Sequence, residues 1–129
     1  MPKNETSLTS AVFDQLQQAM AADVDGFVEL YRDYLADAWQ SIQCLRDNLS
    51  QHQPALMQAK AHYLKSSSLV LGARTVAQGA SLLEQAAIAG NFSDAGEVLE
   101  KTGQALREVQ SELAERLGAR VVPANQATA

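Results

Sequence analysis

The sequence predicts an all-α protein, an up-down-up-down four-helix bundle with a short additional N-terminal helix. Proline occurs only at positions 2, 54 and 123, and the long runs between are rich in Ala, Leu, Gln and Glu, which favour helix. Within those runs apolar residues recur at three- and four-residue steps, the period of a helix that buries one face. Four of the segments are long and joined by short connections, so successive helices become antiparallel neighbours.

Each element carries its own signals. A short first helix covers about residues 9–20, with Val12 or Phe13, Leu16 and Met20 on one side. Asp23 is a candidate N-cap for a long second helix to about residue 48, along which Phe27, Tyr31, Tyr34, Ala38, Ile42, Leu45 and Leu49 recur. Pro54 suits the first turn of a third helix that reaches Leu71, where "GAR" permits a bend. A fourth helix covers about residues 75–89 and stops at Gly90-Asn91. Ser93 is read as the cap of a fifth, whose stripe of Val98, Thr102, Leu106, Val109, Leu113 and Leu117 ends at Gly118. The bundle domain is therefore placed at residues 9–118, between a flexible N-terminus at 1–8 and a flexible C-terminal tail at 119–129, where "ARVVPANQATA" has no period.

Composition narrows the function. A chain of 129 residues, 47% apolar and 19% charged, suits one domain with a single core and leaves no room for a second catalytic domain. No stretch reaches the ~20 apolar residues of a membrane span, and the start "MPKNETSLTS" lacks the basic-then-apolar order of a secretion signal, so a cytoplasmic protein without a membrane segment is expected. Cys44 is the single cysteine, which precludes an internal disulfide or a cysteine metal cluster and reads as a small core or boundary residue. A net charge of -5 opposes nucleic-acid binding, which normally shows as a basic face, and favours protein partners. A di-metal bundle needs Glu-x-x-His motifs; none occurs, and His52 sits in a loop beside Pro54, so no metal is expected. Neither G-x-x-x-x-G-K-[ST] nor a dinucleotide fingerprint is present, so no cofactor and no ATP-dependent autokinase activity is expected.

The stretch "AKAHYLKSSSLVLGAR", residues 59–74, places His62 inside the third helix. Met57, Ala61, Leu64, Ser68 and Leu71 form a seam packed into the bundle, and His62 is not part of it. Its neighbours at helical spacing are Gln58, Lys65, Ser66 and Leu69, a mostly polar face. From position alone this is an ordinary surface histidine; a core histidine is the weaker reading, because the seam is complete without it. The surroundings add a third reading. Lys65 can pair with an anion on the imidazole, Ser66 is small enough for another protein to approach closely, and Leu69 offers that partner an apolar contact.

The segment "AHYLKSSSLVLGA" resembles the signature of histidine-containing phosphotransfer (HPt) domains, roughly Ala-His-x-Leu-Lys-Gly-Ser-Ser/Ala-x-x-Leu-Gly-Ala, with Ser66 in place of the usual glycine. The likeness continues through "ASLLEQAA" to the leucine-acidic pair of the following helix. It implies a helical bundle whose exposed histidine carries a phosphoryl group between receiver-domain aspartates. His62 then matches the phospho-acceptor, Lys65 the lysine that steadies the phosphate, and Glu84 a position near the imidazole that can orient it through Nδ1. Gly72 and Ala73 match the bend after the acceptor helix. Gln58, Ser66, Leu69 and Arg74 are the candidate partner-binding residues; Arg74 can reach the phosphate or the partner, although an ordinary surface charge is the stronger reading. The serine at position 66 is expected to be tolerated because its hydroxyl can turn back to the carbonyl one turn earlier. The resemblance further implies a monomer that works with the receiver domain of a response regulator and with a hybrid sensor histidine kinase, the receiver supplying the phospho-aspartate and divalent metal. The rival reading is a non-transferring helical module that binds and sequesters a receiver or kinase.

Overall fold

Asp23 starts the longest helix: its carboxylate Oδ1 accepts the Gly26 N–H at 2.9 Å, satisfying one of the amide groups that a helix N-terminus leaves without an intrahelical partner. The computed structural model describes residues 8–51 and 53–124. Among these residues the helices are α1 Ser10–Ala19, α2 Val24–Gln51, α3 Pro54–Val70, α4 Arg74–Ala89 and α5 Ala95–Leu117, followed by a 3-10 turn at Ala119–Val121. The expected elements are all present, with boundaries within a few residues of those read from the sequence.

In the ring of helices α2 packs against α3 and α5, and α4 against the same two. Side-chain pairs give the directions. Along α2 and α3, Tyr31 bonds to Leu71, Tyr34 to Ser68 and Asp37 to Tyr63, so one number rises as the other falls. Trp39 Nε1 donates to Gln110 Oε1 at 2.9 Å while Arg120 pairs with Asp25 at 2.9 Å, which sets α5 and the segment after it antiparallel to α2. The α1 helix lies over one end, where Phe13 meets the rings of Phe27 and Tyr31 at 5.3 and 5.6 Å and the Arg116 guanidinium sits over Phe13. Burying one apolar stripe per helix, such as Val76, Ala80, Leu83 and Ala87 on α4, is the dominant stabilising term.

Three details differ from the sequence reading. Ser93 does not cap α5: its amide and hydroxyl both bond Asn91 Oδ1, at 3.2 and 2.9 Å, and Asp94 occupies the N-cap position. At the C-terminal side the domain does not stop at residue 118, because the turn Ala119–Val121 packs against α2 and α5 and Val121 is fully buried in the core. Residues 125–129 of the expected tail lie outside the described residues, as do residues 1–7 of the expected flexible N-terminus. Leu8, assigned to a flexible N-terminus, is also buried and forms a single antiparallel bridge with Ala73. A lone buried leucine or valine in a short segment has no period to reveal it.

Gly79 of α4 lies against Thr102 of α5. A Cβ there would overlap the Thr102 hydroxyl, which is itself fixed by donating to the Val98 carbonyl at 2.7 Å. Gly79→Ala is therefore expected to lower stability by about 1–3 kcal/mol through overpacking, despite the helix propensity of alanine. Urea denaturation checks this, and in a Thr102→Ala background the same change should cost clearly less, because the hydroxyl overlap is gone and only the Cβ at position 102, 3.0 Å from the added methyl, must give way.

Candidate functional site

The turn between α3 and α4 sets the site. Gly72 adopts φ 84°, its N–H donates to Leu69 O at 3.3 Å, and the Ala73 N–H donates to Ser68 O at 2.8 Å. These paired bonds close α3 and require a left-handed residue between them, for which glycine is the least strained choice. A Cβ at Gly72 would also lie 2.9 Å from the Val12 Cβ. The chain reverses here, so α3 and α4 run side by side and bring His62 opposite Glu84.

Rotation of α3 about its axis is fixed from the inside. Met57, Ala61, Leu64 and Ser68 are buried; Tyr34 and Ser68 share a hydroxyl hydrogen bond of 2.7 Å, and the Tyr31 hydroxyl donates to Leu71 O at 3.0 Å. Burial pushes the Tyr31 phenol up to about 12 and the Tyr34 phenol higher still, so both remain protonated. With that seam inward, His62 is turned to solvent, its side chain 61% exposed.

Glu84 joins two partners. Its Oε2 lies 2.9 Å from His62 Nδ1, its Oε1 lies 2.8 Å from Lys65 Nζ, and its side chain is 13% exposed. The Lys65 hydrogen bond, seconded by that of His62, holds the carboxyl below its usual range against the opposing effect of desolvation. An ionised carboxylate only accepts. Nδ1 therefore carries the hydrogen it donates to Glu84, and in the neutral imidazole Nε2 presents its lone pair to solvent.

The sequence-derived candidates divide into two groups. His62, Lys65 and Glu84 are brought together, and Gln58, Ser66 and Leu69 are exposed on the same face of α3, Leu69 by 57%. Arg74 is not brought there. As the first residue of α4 it lies ten residues before Glu84, about 15 Å along the axis, and lines a groove with Ser10 of α1 and Arg107 of α5. A contact with a phosphoryl group on His62 is out of its reach. The Ser66 hydroxyl makes no hydrogen bond to any described residue, so it does not turn back to the His62 carbonyl; exposed as it is, it can be satisfied by water. His52 lies outside the described residues.

Two neighbours escaped the sequence reading. Ile88, one turn past Glu84 on α4, is 63% exposed; its position off the buried stripe Val76, Ala80, Leu83 and Ala87 is the signal that could have found it. The Tyr63 hydroxyl donates to Asp37 Oδ2 at 3.1 Å and ties α3 to α2 beside His62. That carboxylate, by accepting the bond, raises the Tyr63 phenol above its ordinary value. Nothing local in the sequence pairs those two residues.

An antiparallel helical bundle with a carboxylate-held histidine on its surface is the architecture expected of a histidine phosphotransfer module. The sequence profile of the Hpt domain family matches residues 29–118, and the chain belongs to that family, whose members are phosphotransfer carriers in two-component signalling and interact with receiver domains. The fold is similar to that of the crystal structure of histidine-containing phosphotransfer protein B from Pseudomonas aeruginosa PAO1, with a TM-score of 0.80 and 22% identity over 86% of this chain and 94% of that one. A search of curated protein sequences finds no significant match. No described helix is long and apolar enough to cross a membrane, and the described residues contain no group of three or more His, Cys, Asp or Glu placed to hold a metal ion.

Proposed function

We propose that this chain is a phosphorelay intermediate that accepts a phosphoryl group on His62 Nε2 from a receiver-domain phospho-aspartate and passes it to another receiver. The observation that carries this reading is the Nδ1–Glu84 hydrogen bond of 2.9 Å, which leaves Nε2 as the free nucleophile on an exposed helix face. In the forward step the Nε2 lone pair forms a bond to phosphorus while the acyl-phosphate P–O bond breaks, its electron pair leaving with the receiver carboxylate. The imidazole, still protonated at Nδ1, becomes cationic, and Glu84 offsets that charge. Transfer onward reverses the roles: the P–N bond breaks as the next aspartate attacks.

Such a transfer needs in-line positioning and compensation of charge on the equatorial oxygens. Lys65 has three ammonium hydrogens, of which one suffices for Glu84, so others can reach phosphoryl oxygens. Leu69 and Ile88 give a receiver apolar contacts on either side of the histidine, beside the polar Gln58 and Ser66. A cytoplasmic monomer, charged by the receiver of a hybrid sensor histidine kinase and discharged to a response regulator, is the form we propose.

The experiment is incubation with a phosphorylated receiver domain: a carrier gains an acid-labile, base-stable phosphoramidate, and a sequestering module gains none. Lys65→Ala is expected to slow transfer roughly threefold to tenfold, because the phosphoryl group is then held less firmly in line between the two nucleophiles, and to shorten the phosphohistidine lifetime. Thermal stability should be almost unchanged, and equal transfer kinetics in both directions would reduce Lys65 to a surface charge.

A further inference from the structure

We propose that the Ser66 hydroxyl binds the phosphoryl group carried by His62 and prolongs the phosphorylated state, an inference that rests on His62 being the acceptor. Ser66 is exposed and lies four residues after His62, which brings their Cβ atoms to about 5–6 Å. Helical side chains lean toward the N-terminus, so that of Ser66 lies over the turn that carries His62.

The three consecutive serines are not equivalent. Ser68 shares its hydrogen bond with Tyr34, and the Ser67 hydroxyl donates to Leu64 O at 3.3 Å. The Ser66 hydroxyl has no protein partner among the described residues and is free to donate outward. Around the α3 axis, Lys65 stands about 60° to one side of His62 and Ser66 about 40° to the other. Lys65 is already drawn to Glu84 at 2.8 Å, and that carboxylate repels a phosphoryl dianion from the same side. A neutral donor on the far side is what the arrangement otherwise lacks, and the glycine of the resembling motif has no side chain to supply it.

A ground-state donor slows loss of the group for a definite reason. In hydrolysis the P–Nε2 bond breaks with its electron pair going to nitrogen, water oxygen bonds to phosphorus, and a water proton ends on the imidazole, leaving histidine and inorganic phosphate. The transition state is loose and metaphosphate-like, so the phosphoryl oxygens carry less negative charge than in the bound dianion. A hydrogen bond to those oxygens is thus stronger before reaction than during it, which raises the barrier.

The test labels the purified chain with phosphoramidate, a small-molecule phosphoryl donor, and follows phosphohistidine loss at neutral pH in wild type and in Ser66→Ala, Ser66→Gly and Ser66→Thr. Alanine and glycine variants should lose label at the same rate, roughly threefold to tenfold faster than wild type, and the threonine variant should retain the wild-type lifetime. An alanine variant with the wild-type lifetime overturns the inference, whether or not glycine differs, because size or backbone freedom would then account for the effect. A wild-type chain that takes no label at His62 fails at an earlier step, and overturns the acceptor assignment together with what rests on it.

Discussion

His62→Gln is expected to abolish phosphoryl labelling from a phosphorylated receiver. Glutamine matches the imidazole in approximate reach and polarity but offers only an amide nitrogen, whose lone pair is delocalised and does not attack phosphorus. The loss should be complete within detection, because the other histidine, His52, stands in the sequence at a helix boundary without an accompanying lysine. Stability should change by less than ~0.5 kcal/mol, since the side chain is 61% exposed and outside the packed seam. Circular dichroism and thermal melting separate loss of the nucleophile from loss of the fold. Removal of the label by His52→Gln instead would place the acceptor elsewhere and sink the assignment.

What the sequence reveals here depends on the range of each interaction. His62, Lys65 and the seam residues Met57, Ala61, Leu64 and Ser68 share one helix, so the 3.6-residue period alone sorts them into a surface face and a buried face. Glu84 is separated from His62 by a helix end, a Gly72 turn and most of α4. Only the family resemblance pointed to it, and the pairing depends on how α3 and α4 align after the turn. The same alignment carries Arg74 away from the site although it is close to the acceptor motif in sequence. Residue type alone suggests Ser93 as a cap, but a neighbouring asparagine competes for its hydroxyl. Val121 and Leu8 each fill a place in the core from segments too short to show periodicity.

Glu84→Ala is expected to lower the rate of phosphorylation about tenfold, the scale of one charge-assisted hydrogen bond acting on the reacting group. Two consequences combine. Without the acceptor at 2.9 Å the imidazole hydrogen is no longer held on Nδ1, so the tautomer with Nε2 free is less populated, and Lys65 loses the partner that positions its ammonium group. Nitrogen chemical shifts of the imidazole at neutral pH report the first effect directly. Glu84→Gln retains a carbonyl acceptor but no charge, so it should preserve part of the tautomer preference and lie between wild type and alanine in rate. The pH dependence has a definite sign. The Glu84 carboxyl is held below its usual 4.5 chiefly by Lys65, so its contribution to stability is fully present above that usual value and is lost as pH falls through the lowered one. The stability difference between wild type and Glu84→Gln should therefore not decline between about pH 7 and pH 5 and should shrink only in more acid solution. A difference that already declines between those two values, or a tautomer unaffected by Glu84→Ala, would show that the carboxylate does not organise this site.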